Sequence, residues 1–347
     1  MNQKKSIPVG CDDGHHSVKL VFQDPNQPGH LTELSIKSAA FRGEGQFIQL
    51  EGPENVYQSE GENITVVQQQ ALGQCLSTRF TEYPISTLNR VLVHHALCEA
   101  GFGGESVKIV TGLPFDQYYT GNQKNSELID GKINSLKKPV ISRDNKLLAR
   151  IARNAVVSEG VAALFDLFTN ADGTERDEYS SLADQPIAII DLGGKTLDMV
   201  TVMENCNGVY SEYSGTREVG TLQLITQLSA LIKREFKMSA DPSREFVDQS
   251  FKTKEYMVYG EKNDISHLIQ QAAKYYMASI MKGVTEIISS YSELGAMVFV
   301  GGGAALLQNT FGNAIFNEFY RGKIIIPDRP EFANARGMYH KAVNLEE

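Results

Sequence analysis

Two short stretches carry residue types suited to holding a phosphate group. Asp12-Asp13-Gly14 and Asp191-Leu192-Gly193-Gly194 each follow a short apolar run and precede an alternating one. Glycine in a tight turn leaves backbone N–H groups uncovered, and a concave set of such groups binds phosphate oxygens. An aspartate beside the turn would repel phosphate. Its natural chemistry is to hold Mg2+, mostly through water, because that ion keeps much of its hydration shell. A metal so held neutralises charge on a transferring phosphoryl group. One Asp-x-Gly turn is ordinary turn chemistry. Here the pattern recurs about half of the 347-residue chain later, and Gly301-Gly302-Gly303 follows a further apolar run, Met297–Val300. A triple glycine alone reads as a flexible turn; the three features together point to nucleotide binding.

A scaffold must position these residues, and the pattern along the chain supplies one. Ile7–Cys11 reads as a strand, Asp12–Gly14 as a tight turn and Val18–Phe22 as the returning strand of a hairpin. Residues 24–70 read as β-rich with polar turns, Asp24–Gly29 among them. Ser86–Ala100 reads as a helix with Ser86 as N-cap and Gly101 as terminator. Val107–Thr111 reads as a buried strand ending at Gly112-Leu113-Pro114. Val156–Phe168 reads as a helix after a short strand, which would make Glu159 an acid of its first turn, favoured by the dipole. Residues 170–186 are a polar crossover. Ile187–Ile190 suits a strand buried on both faces, with Leu197–Val202 returning. Leu222–Phe236 and Asp264–Tyr291 repeat apolar residues at three and four and read as helices. The repeated strand–turn–strand unit predicts two related halves with a cleft between them.

Composition excludes several classes. The chain is 41% hydrophobic and 22% charged, ordinary values for a soluble globular protein, and its length favours two domains. No run approaches the length of a membrane span, and the first residues lack the apolar stretch of a signal peptide, so a cytoplasmic location without membrane contact is expected. Cys11, Cys75, Cys98 and Cys206 show no CxxC spacing and read as buried free thiols. His94-His95, neighbours on a helix, point about 100° apart and make a poor metal pair. A net charge of −9 argues against wide direct contact with DNA.

Val9–Leu20 resembles the first phosphate motif of actin-like proteins, Ile189–Asp198 the second, and Met297–Ala304 the adenosine motif. Val93–Leu97, Thr111–Phe115 with Tyr118-Tyr119, and Asn334–Tyr339 resemble, more narrowly, the plasmid-segregating actins of the ParM/StbA family. The resemblance implies an actin-like α/β fold: two related domains, each with a central mixed sheet and flanking helices, with nucleotide in the cleft. It sets the domains at 1–182, completed by a C-terminal helix in 333–347, and 183–332. Residues 24–80 and 237–262 would form the outer subdomains. It implies that Asp12 and Asp191 organise Mg2+ and water, and that Gly14, Gly193 and Gly194 offer N–H groups to phosphate. Lys19 would bring a cation to the phosphates. Thr196 would bond a phosphate oxygen or water, and Glu159 would orient the attacking water. Gly301, Gly302 and Gly303 would let the backbone pass close to ribose and base. His15 stands where the family has Ser or Thr, and Lys195 where it has a small or hydroxyl residue. Both are placed near phosphate, Lys195 with a solvent-facing turn lysine as its alternative.

The function so implied is an ATPase, with GTP as an alternative nucleotide. It would polymerise into dynamic filaments and move plasmid DNA through a DNA-binding adaptor on a centromere-like site. The alternatives are a non-segregating nucleotide switch of scaffold or chaperone-like kind and a small-molecule kinase on the same fold. No C-terminal peptide-binding domain or amphipathic anchor supports the first, and no substrate-pocket signature the second.

Overall fold

Apolar residues at every second position let one face of the opening hairpin bury itself. In the computed structural model the hairpin is β1 (Ile7–Asp13) and β2 (Ser17–Gln23), antiparallel with Val9 opposite Phe22 and Asp12 opposite Lys19. The structure describes residues 5–24, 27, 29–43, 55–67, 75–290, 292–317 and 320–346. The chain divides into two compact units, Met1–Tyr179 with Phe332–Glu347, and Ser180–Glu331.

In the first unit β3 (Leu31–Lys37) extends the hairpin. β4 (Ala40–Arg42), β5 (Val56–Ser59) and β6 (Glu62–Val66) build a second, antiparallel sheet. Helix α1 (Thr87–Glu99) starts where Ser86 Oγ accepts the Asn89 amide at 3.1 Å, and it stops before Gly101. It is buried almost all round, packing with residues of both sheets such as Leu20 and Ile64. Next come β7 (Ser106–Leu113), the single turn α2 (Phe115–Tyr118), a short hairpin of β8 (Tyr119–Thr120) and β9 (Gln123–Lys124), and α3 (Ser126–Leu136). β10 (Ile141–Ser142) joins the second sheet, and β11 (Arg150–Ser158) leads to α4 (Val161–Phe168). The main sheet runs β11-β7-β1-β2-β3, with β1, β7 and β11 parallel.

The second unit repeats the design. β12 (Ile187–Leu192) and β13 (Leu197–Val202) form its hairpin, and β14 (Gly215–Arg217) lies outside β13. Helix α5 (Thr221–Glu235) is followed by α6 (Arg244–Thr253), the hairpin β15 (Glu255–Val258) and β16 (Glu261–Asp264), and α7 (Ser266–Ile287). β17 (Ala296–Val300) runs parallel to β12 and passes straight into α8 (Gly301–Phe311); α9 (Ala314–Asn317) and β18 (Ile324–Ile325) complete the unit. Helices α5 and α7 bury their apolar faces against Ile190, Leu192, Leu197 and Met199. Finally α10 (Ala333–Val343) packs on β1, β7 and α4 of the first unit. A side chain at Gly10 would overlap Ala335 O of α10, and one at Gly337 would overlap Ala162 O of α4.

Several boundaries differ from the sequence reading. Both hairpin strands run further: Asp12 and Asp13 pair with Lys19 and Val18, and Asp191 and Leu192 pair with Asp198 and Leu197, so the turns are Gly14–His16 and Gly193–Thr196. Val156–Ser158 are strand, because they continue the ladder with Thr111–Leu113; Gly160 at φ +75° breaks it, and the helix starts at Val161. Asp264 pairs with Glu255 rather than opening α7, and Ile288 is already extended; Tyr291 lies outside the described residues, as do residues 25, 26 and 28 of the Asp24–Gly29 turn. Among the cysteines only Cys11 is buried, while Cys206 is exposed.

Candidate functional site

Alternation along β1 sends its two last residues to opposite faces. Asp13 shares the core face with Val9 and Cys11, whereas Asp12 shares the other with Lys19 and Val21. Lys19 Nζ donates to Asp12 Oδ2 at 2.7 Å, with the side chains 14% and 10% exposed. Asp13 is buried and needs partners there. Lys132 of α3 reaches it at 2.9 Å and also donates to Gly112 O, and Asn89 of α1 donates to it at 2.7 Å. Two helices thereby fasten the C-terminal ends of β1 and β7.

The turn that follows is tied from one side. Gly14 O accepts from Ser38 Oγ at 2.8 Å, His15 O from Thr78 Oγ1 at 2.7 Å, and His16 O from the Ser38 amide at 3.0 Å. A trans peptide holds each following N–H opposite its carbonyl. The amides of His15, His16 and Ser17 therefore face away from these donors, the arrangement of an anion nest. The His15 ring lies 4.9 Å from that of Tyr83, and its Nδ1 donates to Thr78 O at 2.6 Å. A neutral ring thus spends its single N–H on Thr78. It donates from Nε2 only when protonated.

Glu159 lies at the junction of β11 and α4, ahead of the helix rather than in its first turn, and its amide donates to Leu113 O at 2.8 Å. Its side chain rests over Gly112: a Cβ there would sit 2.8 Å from Glu159 Cγ and 2.9 Å from Oε1. The next amide, Gly160 N, donates to Asn334 Oδ1 of α10 at 3.0 Å. Asp12, Gly112 and Glu159 thus share the C-terminal ends of three neighbouring parallel strands, where α/β sheets bind ligands.

The hairpin of the second unit is tied in the same manner by a helix start. Thr221 and Leu222 of α5 donate their amides to Gly193 O and Gly194 O, both at 3.1 Å, turning the Gly194 and Lys195 amides away. Thr196 Oγ1 donates to Asp198 Oδ2 at 2.8 Å, and Thr216 Oγ1 donates to Oδ1. The Thr196 hydroxyl proton is committed to Asp198, which leaves its oxygen able to accept from water. Lys195 Nζ stands 3.4 Å from Glu218 at 41% exposure, so it takes the solvent-facing alternative. Gly301–Gly303 are no flexible turn but the first turn of α8. Gly301 has φ +86°, and a Cβ on it would overlap Asp191 Oδ1, so the carboxylate lies against the start of α8. Gly303 is closed in by Leu192, while Gly302 is exposed, and a Cβ on it would meet nothing within 4 Å.

Residues 7–170 match the family model for the plasmid segregation protein ParM, N-terminal, and residues 189–313 that for the archaeal actin homologue MreB-like, C-terminal. The fold superposes on an archaeal actin homolog, Ta0583, with TM-score 0.75 at 17% identity over 97% of this chain and 99% of that one. On a 15-stranded ParM filament from Clostridium botulinum the TM-score is 0.73 at 18% identity over 99% and 100%. On Bacillus thuringiensis ParM with ATP it is 0.68 at 14% over 98% and 99%. The chain has an actin-like fold, and its N-terminal part matches the ParM family model. No curated protein matches it by sequence.

The two hairpins of this actin-like chain correspond residue by residue. One constant offset pairs Asp12 with Asp191, Gly14 with Gly193, Ser17 with Thr196 and Lys19 with Asp198. Sequence reading missed Lys132, Asn89, Gly112 and Asp198 as supports of the site. A lysine in the middle of an amphipathic helix carries no mark of burial, but the Asp198 signal was present as the last acid of the second motif. The residues fit Mg2+ held largely through water. Each hairpin carries a carboxylate near the end of its first strand, Asp12 and Asp191, of the kind that would hold the ion in that way.

Proposed function

We propose that this chain binds ATP or GTP with Mg2+, hydrolyses it, and polymerises into dynamic filaments that separate plasmid copies through a DNA-binding adaptor. The observation that carries this reading is the pair of matched hairpins. Each has its turn carbonyls tied on one side, its turn amides facing the other, and an aspartate on its last strand residues. The amides of residues 15–17 and 194–195 hold phosphate oxygens, and Lys19 adds a cation. Gly302, at the exposed start of α8, lets ribose and base lie close to the backbone. Glu159 orients water for in-line attack on the terminal phosphoryl group, its carboxylate held in place over Gly112. Bound Mg2+ supplies charge neutralisation on that group. None of the helices is long and apolar enough to cross a membrane among the described residues, in keeping with a cytoplasmic site of action.

The test is a paired time course of light scattering and phosphate release after adding nucleotide and Mg2+. Scattering is expected to rise and then decay as phosphate appears. Asp191→Ala, folded by circular dichroism, is expected to release none. Phosphate release from that variant at the unmutated rate defeats the assignment. The MreB-like match of residues 189–313 favours a second reading, a nucleotide-switched polymer that carries no plasmid. A plasmid-retention assay in cells separates the two: loss of retention on deleting the chain supports segregation, and unchanged retention supports the second reading.

A further inference from the structure

The Glu159 side chain takes its direction from two peptide planes, one on either side of its Cα. The plane before it is fixed by strand β7, where Leu113 O accepts the Glu159 amide at 2.8 Å. The plane after it holds the Glu159 carbonyl and the Gly160 amide. That carbonyl accepts from Ser158 Oγ at 3.0 Å, a contact between chain neighbours that moves with the segment. Gly160 stands at φ +75° and ψ −51°, where the strand has stopped and α4 has not begun. Neither ladder nor helix offers its N–H an acceptor there. Asn334 offers one from 174 residues away: its Oδ1 accepts the Gly160 amide at 3.0 Å, in a buried bond.

Asn334 is the second residue of α10 and 4% exposed. Asparagine is a poor helix former because its amide competes for backbone groups. Here the amide is spent on the backbone of another element. The helix that carries it is pinned at both ends. Arg336 donates to Asp166 of α4 at 2.8 Å and to Glu33 of β3 at 2.6 Å. Lys108 of β7, itself buried, donates to Val343 O at 3.1 Å and to Leu345 O at 2.7 Å, which satisfies carbonyls at the helix end. Met338, one turn on from Asn334, shares the space over Gly112 with the Glu159 side chain. All of these residues belong to the first unit.

We propose that Asn334 is a positioning residue for Glu159: by holding the Gly160 amide it sets the direction of the Glu159 side chain, which makes α10 a working part of the hydrolytic step. This rests on the reading of Glu159 as the residue that orients the attacking water. Without the Asn334 oxygen, the Gly160 N–H is buried with no acceptor, and the segment gains by rotating until it finds one. Glycine permits that rotation at little cost. A displacement of about 1 Å at a reacting group costs on the order of 10²-fold in rate. Nucleotide binding, which does not use Glu159, is left as it was.

The experiment follows phosphate release against ATP concentration with Mg2+, or GTP where ATP is not hydrolysed, alongside light scattering. It compares Asn334→Ala, Glu159→Ala and the double variant, each checked for folding by circular dichroism. In Asn334→Ala, kcat should fall roughly 10- to 100-fold while KM stays within about twofold of the unmutated protein. Scattering should rise as before and decay more slowly. On the Glu159→Ala background the same substitution should slow release by less than about twofold, because the group it positions is gone. Asn334→Asp keeps the shape and the accepting oxygen, so its kcat should lie within about threefold of the unmutated value, a result that stands even where the alanine variant does not fold. The proposal is overturned if Asn334→Ala slows the Glu159→Ala protein as much as it slows the unmutated one. A rise in KM at unchanged kcat, a scattering trace that never rises, or a folded Asn334→Asp as slow as Glu159→Ala overturns it too. Release at the unmutated rate from Glu159→Ala alone removes the reading on which the proposal rests, and shows separately from the Asn334 results.

Discussion

Glu159 owes its place to what Gly112 lacks. Any side chain at 112 would occupy the seat of the Glu159 carboxylate, and would also strike Met338 of α10. If Glu159 only orients water, it acts in the transition state and little in the bound ground state. Glu159→Ala is expected to slow phosphate release by ~10²-fold or more while nucleotide affinity stays the same. Filaments should then form and persist, which a scattering trace that rises without decaying would report; a trace that decays at the unmutated rate removes Glu159 from the mechanism. The triple glycine offers a cleaner probe of binding. Gly301 and Gly303 are closed in, but Gly302 has open space around it, so Gly302→Val should fold normally. It should weaken nucleotide binding by roughly tenfold, about 1.4 kcal/mol, because the added branches stand where the ligand passes. Unchanged affinity in calorimetry would take the start of α8 out of the site. The glycines and aspartates were legible because turn chemistry is local. The seat of Glu159 was not, since it depends on strand β7, which lies well before it in the chain.

Elements meet at the end of the first sheet through one buried ion pair. Where the second unit has Leu192 in its core, the first has Asp13, and Lys132 from α3 neutralises it with both side chains 2% exposed or less. Removing one partner leaves a charge uncompensated in the interior, so Lys132→Met is expected to cost about 3–5 kcal/mol in urea unfolding. Replacing both, as Asp13→Leu with Lys132→Met, copies the chemistry of the second unit and should recover most of that loss. A single variant as stable as the unmutated protein would mean the pair is already solvated. Periodicity marked α1, α5 and the core of α7 well, because each has an apolar stripe that only a helix satisfies. It misread Val156–Ser158, whose β-branched and apolar side chains suit either state until the ladder with Thr111–Leu113 decides. Lys132 could not be read at all: its partner lies on a strand near the other end of the unit.

At the scale of the whole molecule, acid should loosen the first unit before the second. His94 and His95 on α1 are buried, and burial lowers each from 6.5 to about 4. His95 also accepts or donates a bond with Tyr57 OH at 2.8 Å, across to the second sheet. Folded pKa values below the unfolded one mean that the unfolded chain binds more protons between pH 4 and 6.5. Stability is therefore full above pH 6.5 and falls as pH drops toward 4, by up to about 3 kcal/mol per ring. Urea midpoints measured from about pH 7.5 to 4.5 should decline along that path, and His94→Gln should flatten the slope; an identical slope in the variant would assign the loss to other groups. The return of α10 to the first unit has a consequence for a nascent chain on the ribosome. The second unit is one continuous stretch and can collapse as soon as Glu331 emerges. The first unit emerges earlier, yet the face of its sheet bearing Gly10, Val21 and Val110 waits for Ala335, Met338 and Tyr339, which come after the whole second unit. The usual order, N-terminal domain first, is thereby reversed: an apolar sheet face stays open to chaperones while the second unit is made, and a stop codon after residue 331 would release a chain whose first unit never closes.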